Sequence, residues 1–385
     1  MLDDIEIVEI GQMITVPFAG TMLGDMGAGV TKIERPGEGE LIRETGPRME
    51  GLGSHYVTVN RNKCCVTANI KTDRGVSIIK ELLKDADVLV ENLKPGTLDE
   101  VGLSYEDVSE INDDIIYCSV HGFREGSKYE DLPAYGPVIQ AMGGAMSVTG
   151  EPDGQPLREA VPIGDLAASM YTAQSILFAL YDRDVNGKSG HYIEIPMLDA
   201  FVSWLAPRAA ETFVTGEPYP RKGNRHPAGA PIDLFETEDS EIMLMVGSRY
   251  QWVRFCDAIG RKDLKDDPRF ESNDKRLENE EALYDILDSV FEKKPSEYWL
   301  ELLREHDIAV APVYDTLEMW DDDYLAELLV ESDGLQMIRN PLLINNDTLP
   351  VRKKPKPPGS DNKEVLKQLG FDDDEIERFK EDNVI

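Results

Sequence analysis

The N-terminal part of the chain switches repeatedly between two hydrophobic periods. Ile5-Glu-Ile-Val-Glu-Ile10 alternates as a strand does, Phe18–Met26 reads as a helix after Pro17, and Val30-Thr-Lys-Ile33 is a second strand. Gly37–Ser54, rich in Gly, Pro and Glu, is a long loop, and Tyr56–Val59 with Cys64–Ile70 predicts a hairpin around Asn60-Arg-Asn-Lys63. Thr72 or Asp73 caps a helix running to Lys84, and Ala86–Val90 is a strand ending in Glu91-Asn-Leu-Lys-Pro-Gly96. A short helix near Tyr105–Ile111 and a strand over Asp114–Val120 continue the alternation. Such alternation predicts an α/β fold with a doubly wound, Rossmann-like parallel sheet, whose ligands gather outside the carboxyl ends of the strands. The loops after Ile10, Ile33, Val90 and Val120 should therefore surround one crevice. Gly24, Gly27 and Gly29 close the first helix instead of opening it, so they read as cap and turn, not as a dinucleotide fingerprint.

A longer helical pattern follows Val161-Pro-Ile-Gly-Asp165, with Leu166, Met170, Ala173, Ile176, Leu177 and Leu180 at spacings of three and four. Asp165, at the mouth of this helix, has two readings. It can cap the first turn, or it can be a nucleophile that attacks an acyl carbon. Under either reading the helix dipole should hold its pKa low and keep the carboxylate ionised. Local sequence favours the cap.

Beyond the Asn186-Gly-Lys-Ser-Gly190 turn come a strand over His191–Ile195 and a helix over Leu198–Phe213. From about Thr215 the texture changes to Pro, Gly and basic residues, which marks a boundary. A strand at Glu241–Val246 and helices at Tyr250–Ile259, Glu281–Glu292 and Ser296–Glu305 predict a smaller α+β domain. Ile308–Val313 reads as the return to the first domain. The expected organisation is a large domain over 1–200, a linker over 201–222, the small domain over 223–305, and a return segment with the rest of the large domain over 306–385. The basic island Arg352-Lys-Lys-Pro-Lys-Pro-Pro-Gly359 reads as a connector before a helix at Asn362–Phe371.

Charge narrows the function. The 385 residues carry 40 Lys and Arg against 74 Asp and Glu, a net −34, which argues against nucleic acid or an anionic membrane as partner. Aromatic and branched aliphatic residues run through the whole length, so the charge belongs to a folded surface. A halophilic cytoplasm is the preferred explanation, since molar salt shrinks the Debye length to about 3 Å and screens the self-repulsion. No apolar run approaches the ~18 residues of a membrane span, and Met1-Leu-Asp-Asp lacks a basic leader, so a soluble cytoplasmic protein is expected. Cys64, Cys65, Cys118 and Cys256 read as buried thiols, and the five histidines have no ligand spacing, so no metal is expected.

No nucleophile elbow, paired catalytic cysteine or P-loop is present. Carboxylate attack suits an already activated acyl group such as a thioester. Several segments, in order along nearly the whole chain, carry a resemblance: Ile33-Glu-Arg-Pro-Gly, Asn60-Arg-Asn-Lys63, Glu91-Asn-Leu-Lys-Pro-Gly96, Gly164-Asp165, Met197-Leu-Asp-Ala200, Gly223-Asn-Arg-His-Pro-Ala-Gly-Ala-Pro231 and Lys363-Glu-Val-Leu-Lys-Gln-Leu-Gly370. Together they resemble the class III CoA-transferases, a group that includes formyl-CoA transferase, carnitine CoA-transferase, succinyl-CoA:mesaconate CoA-transferase and the α-methylacyl-CoA racemases. The resemblance implies an interlocked, ring-like homodimer and acyl-CoA and small carboxylic acids as substrates, with no tightly bound cofactor.

It also implies that Asp165 attacks the acyl-CoA carbonyl, passing through an aspartyl anhydride and an aspartyl-CoA thioester. For CoA it assigns Arg35, Asn92 and Leu93 (in place of an aromatic ring); Lys94, a further cation in the same loop suited to phosphate, and Tyr135 are expected to bind CoA beside them. Gly143, Gly144 or the 223–229 loop are the expected oxyanion donors. Arg43, Arg48, Arg61, Arg208 and Arg225 are candidates for pairing a second carboxylate. Two departures matter. Tyr135-Gly136 stands where the racemases carry His-Asp, and tyrosine is a poor base at neutral pH, which favours transfer over epimerisation. Ile14 and Gly136 stand where formyl-CoA transferase has Gln and Glu, and its small-domain glycine run is missing, which disfavours formate and oxalate. A succinyl-CoA and mesaconate type of pair is the expected substrate class; an acyl-CoA racemase or a non-catalytic CoA-binding scaffold is the alternative.

Overall fold

The computed structural model describes residues 1–385. They form two compact units, one of Met1–Ala145, Arg158–Thr215 and Glu327–Ile385, the other of Met146–Leu157 and Gly216–Ala326.

The first unit is built on six parallel strands: β1 (Glu6–Ile10), β2 (Gly29–Glu34), β3 (Lys63–Thr67), β4 (Val88–Glu91), β5 (Ile116–His121) and β6 (His191–Pro196). Their order is β3-β2-β1-β4-β5-β6, which reverses direction between β1 and β4. Helices cover both faces, so Ile7 and Val8 on β1 and Val88, Leu89 and Val90 on β4 are all buried. The crossovers are α1 (Thr15–Asp25), α2 (Ser54–Thr58), α3 (Asp73–Leu83) and α4 (Tyr105–Ser109); between β5 and β6 lie α5 (Gly136–Met142) and the long α6 (Ile163–Asn186). Thr72 caps α3 by accepting the Gly75 N–H, and Gly187, at φ 68°, ends α6 in the left-handed conformation that glycine adopts without strain.

The expected hairpin at 56–70 is absent. Ser54–Thr58 is helical, with Tyr56 and Val57 buried, and Lys63–Thr67 joins β2 in parallel. Asn62, at φ 61°, turns the chain between them. The Gly37–Ser54 loop contains a 3₁₀ turn at Leu41–Glu44 and a small hairpin of Arg48–Met49 with Leu52–Gly53. Residues 201–222, read as a linker, are helical through Thr215, as α7 (Met197–Trp204) and α8 (Ala206–Thr215).

The basic island is a connector held by its own cations. The Arg352 guanidinium bonds the carbonyls of Gly24, Gly27 and Ala28 behind α1, Lys354 pairs with Asp333, and Lys356 pairs with Asp361. The chain closes with α12 (Asn362–Gln368) and α13 (Asp373–Glu381). Cys65, Cys118 and Cys256 are buried, but Cys64 is only half-buried and its sulfur lies 2.9 Å from the Lys353 Nζ.

The second unit is α+β. Strands β7 (Ile232–Glu236), β8 (Glu241–Met245) and β9 (Ala309–Pro312) form an antiparallel sheet in the order β9-β8-β7. Helices α9 (Arg249–Ala258), α10 (Glu280–Phe291) and α11 (Ser296–Glu305) bury Trp252, Phe255, Phe291 and Trp299 together. Ile308–Val313 is thus not a return to the first domain: Ile308 is in this core and β9 pairs with β8. No helix anywhere is long and apolar enough to cross a membrane.

Candidate active site

Strand order reverses between β1 and β4, and the loops leaving their carboxyl ends diverge there, opening a crevice. The side-chain amide of Asn92 ties the two loops together: it accepts the Gln12 N–H (2.8 Å) and donates to the Gln12 carbonyl (3.0 Å). Beside this clasp lies a cavity of about 380 Å³ whose walls include Gln12, Met13, Thr15, Asn92, Leu93, Lys94, His121, Tyr135 and Asp165. A second cavity, of about 290 Å³, runs along Ile33, Arg35, Ala68, Ile70 and Lys71. Gln12, Leu41 and Leu93 are walls of both. The six residues expected for catalysis and CoA binding (Asp165, Arg35, Asn92, Leu93, Lys94 and Tyr135) therefore all lie on this pair of cavities, Arg35 on the second and the others on the first.

Asp165 is the third residue of α6, whose N-cap is Pro162, so it lies in the first turn without capping it. The first turns of three helices meet at its carboxylate. Thr15, which opens α1, donates its hydroxyl to Asp165 Oδ1 (3.3 Å) and is held in turn by Ser169, whose hydroxyl donates to the Thr15 carbonyl (2.7 Å). Gly136, which opens α5, is so close that a Cβ there would lie 2.2 Å from Asp165 Oδ2. Gly164 lets α6 approach α5, since a Cβ on it would stand 3.3 Å from Ile139 Cγ2 and 3.4 Å from the Gly136 carbonyl. Aligned helix N-termini favour negative charge. Burial is nevertheless the largest influence on Asp165, and it pushes the carboxyl above its ordinary range against the Thr15 hydrogen bond and its own backbone N–H. The low pKa expected from the helix dipole alone is thus corrected by desolvation.

Sequence reasoning did not single out Thr15, Met13 or His121. Met13 lies in the loop after β1 and Thr15 opens the helix that follows it; their position just past a strand end is the available signal. His121 ends β5; its Nε2 is 2.9 Å from the Ser119 hydroxyl and 3.6 Å from Glu91 Oε1. Burial pulls this imidazole down, but the hydrogen bond and charge of Glu91, with Glu194 and Glu125, outweigh it and hold the pKa above its usual value.

Other expectations do not survive. The Gly143 N–H is donated to the Ile139 carbonyl (2.8 Å), and neither Gly143 nor Gly144 borders the cavity. Each candidate arginine is already paired: Arg43 with Glu34, Arg48 with Glu44, Arg61 with Asp25, Arg208 with Glu211, and Arg225 with Asp233 and Glu281. None of them lines the Asp165 cavity.

Comparison with known proteins adds the context. The model of the family described as CoA-transferase family III matches residues 2–362. The chain is 34% identical over 346 residues to an acetyl-CoA:oxalate CoA-transferase of Acetobacter aceti, covering 89% of each chain. It is also 34% identical over 343 residues to a succinyl-CoA:mesaconate CoA-transferase of Haloarcula marismortui, covering 86% of this chain and 85% of that one. A solved CAIB/BAIF family protein from Brucella suis has the same fold, with a TM-score of 0.88 at 29% identity over 96% of this chain and 99% of that one.

Proposed function

Because the chain belongs to CoA-transferase family III, we propose that it moves CoA from a short acyl-CoA to a short dicarboxylic acid with Asp165 as the nucleophile. The observation that carries this reading is the half-buried Asp165 carboxylate, aimed into a cavity at the switch point with no lysine or arginine paired to it. A carboxylate with no salt-bridge partner is free to react, and raising its pKa makes it a stronger nucleophile whenever it is ionised.

Its oxygen attacks the thioester carbonyl and expels CoA thiolate, leaving an aspartyl anhydride. The thiolate then attacks the aspartyl carbonyl, which releases the donor acid and leaves an aspartyl-CoA thioester. An acceptor carboxylate repeats both steps in reverse and restores the free aspartate. Negative charge thus stays beside Asp165 throughout, where the first turns of α1, α5 and α6 favour it. CoA is proposed to lie across the switch point, with its nucleotide end in the cavity of Arg35 and Lys71 and its thioester past Leu93 and Lys94. Arg35 and Lys71 supply cations suited to phosphates.

The dicarboxylate reading rests on the relatives, which are named for oxalate, glutarate and mesaconate. The homodimer reading is supported by apolar side chains left exposed along α6 and α8, among them Phe178, Tyr181, Val185, Phe213 and Val214. A transfer assay at high salt over a panel of acyl-CoA donors and mono- and dicarboxylic acceptors tests the proposal. CoA transfer that Asp165→Asn abolishes in a folded protein is expected; no transfer to any acid, or transfer by the Asn variant, contradicts it.

A further inference from the structure

Beneath the loop that carries Met13 and Thr15 lie four buried charges from neighbouring strands and the loop after β2. Glu9, Lys32, Glu40 and Lys63 are all less than 10% exposed. The Lys32 Nζ is 2.9 Å from Glu9 Oε1 and 2.7 Å from Glu40 Oε1; the Lys63 Nζ is 2.7 Å from Glu9 Oε2. Ions this deep stay buried only when paired, and an apolar set of the same volume often holds a fold as well. The tetrad does something an apolar set cannot: it grips the backbone of the loop and of the first turn of α1. Lys32 donates to the Gly11 carbonyl (2.8 Å), Glu40 accepts the Met13 N–H (2.7 Å), and Lys63 donates to the Pro17 carbonyl (2.7 Å). The loop it grips is strained. Met13 sits at φ 61°, a left-handed conformation that costs a side-chain-bearing residue and that glycine adopts freely. Two residues on, Thr15 bonds Asp165.

We propose that Glu40, aligned by Lys32, is a positioning residue for the transfer reaction: its carboxylate holds Met13 in the left-handed conformation and so fixes Thr15 against Asp165. The proposal rests on the reading of Asp165 as nucleophile. Glu40 borders the second cavity but is not a wall of the Asp165 cavity, and its carboxylate is taken up by Lys32 and the Met13 N–H, so its effect should fall on kcat more than on the KM for acyl-CoA.

The test is a double-mutant cycle of Glu40→Ala and Met13→Gly, read as kcat and KM of CoA transfer beside thermal melting. Glu40→Ala alone should lower kcat on the order of 10- to 100-fold, the scale set by sub-ångström to ångström misplacement of a reacting group, and change the KM by much less. In the Met13→Gly background the same change should lower kcat by less than about threefold, because glycine enters the conformation without the carboxylate. A Glu40→Ala enzyme with wild-type kcat overturns the proposal, and so does an equal loss in both backgrounds, which marks a merely structural role. Should Glu40→Ala not fold, Glu40→Met, which keeps the volume but cannot accept the Met13 N–H, carries the same comparison: a loss that Met13→Gly suppresses supports the proposal, and an unchanged kcat or an equal loss in both backgrounds overturns it. Failure of the underlying reading is seen separately, as transfer by Asp165→Asn.

Discussion

Replacing Gly136 by alanine adds one methyl group at the reacting centre. Its Cβ would stand 2.2 Å from Asp165 Oδ2 and 3.3 Å from Cγ, where an unstrained contact needs roughly 3.5 Å. Something must give by about 1 Å, and the carboxylate, at the end of a rotatable side chain, gives most easily. The shift takes Asp165 away from this geometry, including its 3.3 Å bond to Thr15. Misplacement of this size costs about 10²-fold in rate, or about 2.7 kcal/mol of barrier. Stability should move little, because the φ of Gly136 is not in the left-handed region and the crowded atom is the end of a side chain. The assay is steady-state CoA transfer beside a thermal melt. A folded Gly136→Ala enzyme with kcat down by about two orders of magnitude agrees with the reasoning. Wild-type kcat in the folded variant refutes it, since Asp165 would then not act from this position.

Other outcomes follow from the same site. The reactive form is the carboxylate and burial raises its pKa, so the acid limb of kcat/KM should lie above the ordinary aspartate range; Thr15→Val, which removes a bond that lowers that pKa, should move the limb to still higher pH. The raised folded-state pKa also means that ionised Asp165 destabilises the fold above that pKa, and that the penalty vanishes as pH falls below the unfolded value. Asp165→Asn should therefore melt higher than wild type at neutral pH and lose this advantage in acid. With a net charge of −34, the melting temperature should climb steeply between low and molar KCl; a flat profile contradicts the halophile reading. Turnover in deuterated water should leave the α-carbon of the acyl group unlabelled, whereas labelling at the turnover rate favours an epimerase.

Much of the parallel sheet was legible because its strands alternate with well-capped helices, as at Thr72 and Gly187, so the crevice could be placed from strand ends alone. What failed were segments whose state depends on a distant partner. Tyr56–Val59 has the β-branched and aromatic content of a strand, yet Tyr56 packs with Ile42 and Val57 with Leu335 and Met337, contacts a short helix makes and local propensity does not register. Ile308–Val313 reads as the return to the first domain because nothing in its sequence names β8 as its partner. Asp165 was legible as a site residue but not in its electrostatics, because its pKa follows the depth of the site, which only the packing of α1 and α5 sets. The candidate arginines were plausible by type alone; Arg43 and Arg61 are buried against Glu34 and Asp25 and cannot reach a substrate.

The most direct test of the central claim is to trap the intermediate. Incubation with an acyl-CoA and no acceptor, followed by hydroxylamine or borohydride and peptide mass spectrometry, should place a hydroxamate or a reduced side chain at Asp165 and nowhere else in the chain. An unmodified Asp165 in an enzyme that turns over fully would contradict the covalent mechanism.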